Sequence, residues 1–164
     1  MIDPQRIRVP AACSPLEGIY LLALLLRGQR ERLSSLGRLL DSVQAAPVTE
    51  RLRDVEELLW RLRAILAGAD PAPSQEPALL ALLELSGLAE AAPPVPAVRG
   101  WSVRERRRRL LADLEQGRIA LLIVADQCRA LPAATEFDEE FMLVGLAARE
   151  QGEILRLLGV RAAA

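Results

Sequence analysis

The side chains able to do chemistry in this chain are few in kind. Its 164 residues include no His, no Lys and no Asn, so all 21 basic residues are Arg, set against 22 acids. Without imidazole there is no acid–base group that titrates near neutral pH, and the usual zinc sets and the Glu-x-x-His pattern of di-iron bundles are missing. Without lysine there is no Schiff base and no phosphate-loop ammonium. Carboxylates, serines, the single Tyr20, Cys13 and Cys128 remain. The two cysteines match no metal or redox spacing. Cys13 precedes a helix start, where the positive helix end favours a thiolate, and is a candidate reactive thiol. Cys128 lies in an apolar seam and reads as a small hydrophobe. A GC-rich genome, which favours Arg, Ala, Leu, Gly and Pro codons, is the simplest account of the missing residue types. The composition points away from an enzyme, and no residue is assigned to catalysis, a cofactor or a metal.

Residues suited to binding are easier to find. Arg104, Arg106, Arg107, Arg108 and Arg109 circle the first two turns of a helix, as a collar and not a stripe. Cations are disfavoured there by the macrodipole, so the placement invites a function: contact with an acidic protein surface or with nucleic acid phosphate. Only five aromatic residues and a net charge of −1 argue against a nucleic-acid platform. Glu136, Asp138, Glu139 and Glu140 form an acidic counterpart that suits the start of its own helix. If the two helices form an antiparallel hairpin, collar and cluster lie at opposite ends and meet only across a subunit boundary. Trp60 is the strongest single binding candidate, because it points away from its helix's apolar seam into a charged face. Trp101, before a helix cap, reads as a structural staple. Gln29 and Gln151 interrupt apolar seams, where polar residues fix register by pairing with each other or with backbone. Gly117 permits close approach of a bulky neighbour, or else a small cavity with the two glutamines. Asp113, Glu115, Asp126, Glu150 and Glu153 fall beside the seams and read as solvated.

These side chains need a scaffold, and the spacing predicts one that is all-α. Leu (32) and Ala (26) exceed a third of the chain, so spacing, not abundance, must reveal the elements. After an extended lead over 1–13, Ser14-Pro15-Leu16-Glu17 is a capping box that opens a helix over 15–44, ending before Pro47. Thr49 caps a second over 49–67, and a shorter third covers 76–91. A proline-rich linker follows at 92–100. Ser102-Val103-Arg104-Glu105 is a second capping box, opening a helix that runs to residue 131. A weaker box at Thr135 opens the last, over 136–159.

Seams at alternating spacings of 3 and 4 run along four of the helices. In the first the series is Ile19, Leu22, Leu26, Gln29, Leu33, Leu36, Leu40, Val43. Such seams keep near-parallel helices facing each other, which predicts an up-and-down bundle of four long or medium helices plus one shorter, in a single domain over 1–164. Residues 19–26 and 119–125 are apolar all round, a surplus that calls for several neighbours or a partner. The longest apolar run, nine residues at 18–26, is too short to span a bilayer, and Arg6 and Arg8 lack the apolar stretch of a signal peptide. A cytoplasmic location follows.

The expected function is therefore non-enzymatic: a helical bundle of adaptor, chaperone or regulator type that acts through protein–protein contacts and itself forms a homodimer. Its length and shape are those of many small bacterial helical proteins, a likeness of shape only. A nucleic-acid regulator using the arginine collar, and a small-ligand or carboxylate-metal bundle, are the alternatives.

Overall fold

The computed structural model describes residues 3–69 and 100–159. Among them are four α-helices, α1 (Pro15–Gly37), α2 (Ser42–Ala67), α3 (Val103–Arg129) and α4 (Asp138–Leu157), with 3-10 turns at Pro4–Arg6 and Ala134–Phe137. The described residues contain no strand. The helix expected at 76–91, and the linker at 92–100 apart from Gly100, lie outside them.

Both predicted capping boxes form. Ser14 Oγ accepts from the Glu17 amide at 3.2 Å, and Glu17 reaches back to the Ser14 amide at 3.3 Å. Ser102 and Glu105 do the same at 3.2 and 2.8 Å, which holds the Glu105 carboxyl below its ordinary range.

The expected stop at Pro47 does not occur. α1 already ends at Gly37, and the Asp41 carboxylate caps a new helix by accepting from the amides of Val43 (3.1 Å) and Gln44 (2.9 Å). Pro47 then sits in the second turn of α2. The amide it lacks would have served the carbonyl of Val43, a residue 81% exposed, so water can take that place. Thr49 caps nothing; its hydroxyl donates to the Ala45 carbonyl at 3.0 Å. The Thr135 box is also absent. Ala133 turns left-handed (φ 60°), a 3-10 turn follows, and α4 starts at Asp138 with no side-chain cap. α3 stops two residues short of the expected 131.

Directions follow from cross-helix contacts. Gly18 lies against Cys128, and Gly117 against Gln29, so α1 and α3 are antiparallel. Arg129 pairs with Asp138 while Gly152 meets Arg118, so α3 and α4 are antiparallel. Arg51 pairs with Glu150 and Arg61 with Glu139, so α2 and α4 are too. Every adjacent pair in the bundle thus alternates, while α2 and α3, on opposite corners, run the same way. This is the alternation of an antiparallel four-helix bundle.

The predicted seams form the core. Ile19, Leu22, Leu26, Leu33 and Leu36 of α1 meet Leu114, Leu121, Val124 and Cys128 of α3, Val55, Leu59 and Leu62 of α2, and Phe141, Val144, Ala148 and Leu155 of α4, all buried. The seam ends at Val43 and Val103 are exposed, because each lies in the first turn of a helix. Of the surplus apolar residues in α3, Leu122 and Ile123 are half-buried against this core. The lead is not free. Ile7 is fully buried, and the Gln127 amide clamps it, donating to the Ile7 carbonyl (2.9 Å) and accepting from the Val9 amide (2.6 Å).

Candidate functional site

Three groups of side chains stand out: a polar layer inside the bundle, a charged collar at one end, and a face on α2 and α4.

The polar layer lies towards the end of the bundle where α1 stops. Gln151 Nε2 donates to Gln29 Oε1 at 2.7 Å, joining α4 to α1 with both side chains buried. The predicted mutual pairing of the two seam glutamines is what the structure contains. Gly117 makes it possible: a Cβ there would sit 1.7 Å from Gln29 Nε2. The glutamine amide fills that notch, so it is a packed contact and not a ligand cavity. Beside it, Glu115 is not solvated as expected but buried, with Arg118 Nε donating to its Oε2 at 2.8 Å. The Arg118 guanidinium lies flat over Gly152, where a Cβ would come within 3.0 Å of it. Asp113, also expected in solvent, has only 11% of its side chain exposed and pairs with Arg109 at 3.2 Å. Arg32 is buried in the same stratum; desolvation lowers its pKa, and Asp113 partly offsets that. The nearest core carboxylate is thus already engaged by a cation. Among the described residues no group of His, Cys, Asp or Glu is arranged to hold a metal ion.

The cysteines are closed to reagents. Cys13 and Cys128 are both buried and free. Burial pushes the Cys13 thiol up to about 11 and the Cys128 thiol up to about 12. Cys13 thus lacks the lowered pKa that a place before a helix start could give, because burial and the nearby Glu17 both raise it.

The collar lies at the end of the bundle opposite the acidic start of α4, as the antiparallel hairpin requires. Arg104, Arg106, Arg108 and Arg109 are exposed and Arg107 is half-buried. Glu105 lies among them within electrostatic reach of Arg108. The acidic cluster is partnered within the chain: Arg129 pairs with Asp138 at 2.9 Å, and Arg61 with Glu139 (3.1 Å) and Glu140 (3.3 Å). Those pairs engage three of the four acids with two arginines of the same chain.

The remaining face is where α2 and α4 lie side by side. A shallow cleft of about 280 Å³ runs between them, floored by Leu58, Leu143, Leu146 and Ala147 and edged by Asp54, Glu57, Arg61 and Glu150. Each end is tied by an arginine of α2: Arg51 holds Asp54 (2.7 Å) and Glu150, and Arg61 holds Glu139 and Glu140. Outside the cleft, Trp60 is 73% exposed, Met142 51% and Leu146 49%. The sequence places Trp60 outward on a charged face, and there it stands. It does not reveal that Leu146 of α4 lines the cleft beside α2. Its offset from the α4 seam is the signal that could have found it.

Comparison with protein-family models, with curated proteins and with solved structures finds no match to this chain. No helix among the described residues is long and apolar enough to cross a membrane.

Proposed function

We propose that this chain is a non-enzymatic helical bundle that works through protein–protein contact, and that the outward surface of α2 around Trp60, with the cleft that begins at the adjacent Arg61, makes the contact. One observation carries the reading: Trp60 is 73% exposed on a helix whose other large apolar side chains, past the first turn, are wholly or partly buried. Trp is the residue type most enriched where interface energy concentrates, and an apolar cleft with a charged rim is the usual anatomy of such a patch. A nucleic-acid role for the collar has less support, because Arg109 is held by Asp113 and Glu105 sits among the arginines. A cytoplasmic setting is part of the proposal, supported by two cysteines that remain free thiols.

The test is photocrosslinking in the native cell, with a light-activated amino acid placed at position 60, at 146, or at the exposed Arg27 position on α1 as control. Protein adducts at 60 and 146 but not at 27 support the reading. Equal adducts at all three positions, or none, overturn it.

A further inference from the structure

Resting on that reading of the surface around Trp60, we propose that its partner presents an amphipathic helix of about three turns, with an apolar stripe flanked by arginine or lysine. Charge and shape both lead there. Asp54, Glu57 and Glu150 edge the cleft, and Arg61 at one end holds Glu139 and Glu140. Those five carboxylates are answered by two guanidiniums, Arg51 and Arg61, which leaves the cleft with a net charge of −3. Each arginine is already shared between two carboxylates of its own chain, so none is left for the fifth. That fifth is Glu57, which has no ion-pair partner among the described residues. The excess repels an acidic surface or a nucleic acid and draws a cationic partner.

Trp60 follows Glu57 by three residues, which sets the two side chains beside each other on α2. Among the described residues no cation lies over the Trp60 ring. An arginine from a partner that pairs with Glu57 reaches the indole face as well, so one side chain satisfies both groups.

Shape selects a helix. The floor offers Leu143, Leu146 and Ala147, spaced as one face of α4, with Leu58 of α2 opposite. Apolar side chains at i, i+3 or i+4, and i+7 of a third helix fit between two such rows. An extended segment gains nothing from its backbone here, because both walls are α-helices whose own amides and carbonyls are already paired. Glu139 and Glu150 are eleven residues apart on α4, about 16 Å. Three turns of a partner helix cover that length and reach the acids at both ends.

Fluorescence anisotropy with the full chain and labelled synthetic peptides tests this. The probe is a peptide of about 18 residues, long enough to hold a helix, with a leucine stripe and arginine flanks. One control carries glutamate flanks, and a second keeps the arginines but is scrambled so that the stripe is lost. The probe is expected to bind about tenfold more tightly than either control, and to weaken as salt is raised. Leu146→Glu and Trp60→Ala are each expected to weaken it by about tenfold. Glu57→Arg combined with Glu139→Arg takes the cleft from −3 to +1 and is expected to reverse the preference towards the glutamate peptide. All four positions are exposed, so unchanged circular dichroism will show the fold intact. A wild type that binds none of the peptides overturns the proposal, as does one that binds either control as well as the probe. A double reversal that leaves the preference unchanged does the same. In the native cell, mass spectrometry of the adducts at 60 and 146 is expected to find a basic amphipathic helix. An acidic or extended segment, or a second copy of this chain, refutes the partner proposed here while the binding surface stands. With no adducts, both readings fall.

Discussion

Replacing Gly117 with Ala is expected to destabilise the protein although Ala is the better helix former. Intrinsic propensity alone favours the change by about 0.8–1 kcal/mol. Against it, the new methyl carbon would sit 1.7 Å from Gln29 Nε2 and 3.0 Å from its Cδ. Gln29 is fully buried, so its amide can leave only by giving up the 2.7 Å bond from Gln151. Stranding those buried amides costs about 1–3 kcal/mol, and forcing a methyl into a filled site about 1–3 more. The balance is a net loss of about 1–5 kcal/mol, centred near 3. For a chain of this size that lowers the melting temperature by about 6–12 °C. Urea unfolding followed by circular dichroism measures it directly. Gln29→Ala in the Gly117→Ala background removes the clash but leaves Gln151 without its partner, so the two changes must be strongly non-additive. A Gly117→Ala protein as stable as the wild type, or additive single effects, would refute the account of the polar layer.

The same assay checks other sites. Glu115→Ala leaves the half-buried Arg118 guanidinium without its carboxylate and is expected to cost about 1–3 kcal/mol. Ala133→Gly relieves a left-handed residue, and a gain of about 0.5–1 kcal/mol is expected after the entropy of glycine is subtracted. Trp60→Ala should alter stability by less than about 0.5 kcal/mol, so any lost binding reports the surface and not the fold. Thiol ionisation predicts a pH effect. An unfolded cysteine ionises near 9.0, the folded ones at about 11 and 12. Stability contributed by the protonated thiols is therefore complete below pH 9 and is lost as the pH rises towards 12. A Cys13→Ala, Cys128→Ala chain is expected to lose less over that window, and Ellman's reagent at pH 8 should label the wild type only on unfolding.

Helix existence and the buried seams were legible in the sequence because they depend on local spacing. The Ser14 and Ser102 boxes need only residues three apart, and burial of the α1 seam from Ile19 to Leu36 follows from one apolar face. Pro47 misled for a local reason. A proline signals a helix end only when no cap lies just before it, and Asp41 provided one, six residues upstream. What escaped detection required partners distant in the chain. Glu115 and Arg118 look like a surface pair until Gly152 is known to lie over them. Gln127 gives no sign of clamping Ile7, 120 residues away. Cys13 shows the same limit: proximity to a helix start is visible in sequence, but the burial that dominates its pKa is not. For the binding surface, Trp60 was legible as an outlier among charges, whereas Leu146 gains meaning only when α2 is placed beside α4.

The adjacency of α1 and α3 has a consequence for how the chain is made. The Gln29–Gln151 bond spans 122 residues and the Gln127 clamp on the lead 118 or more. α1 is complete at Gly37, yet its partner helices end at Arg129 and Leu157. At about 5–20 residues per second, synthesis leaves the second apolar side of α1 without its native cover for roughly 6–24 s. Among the described residues, the α1–α2 hairpin is the native pairing available meanwhile. A ribosome-bound nascent chain thus carries, for most of its elongation, a leucine-rich helix pair that holdase chaperones are suited to shield.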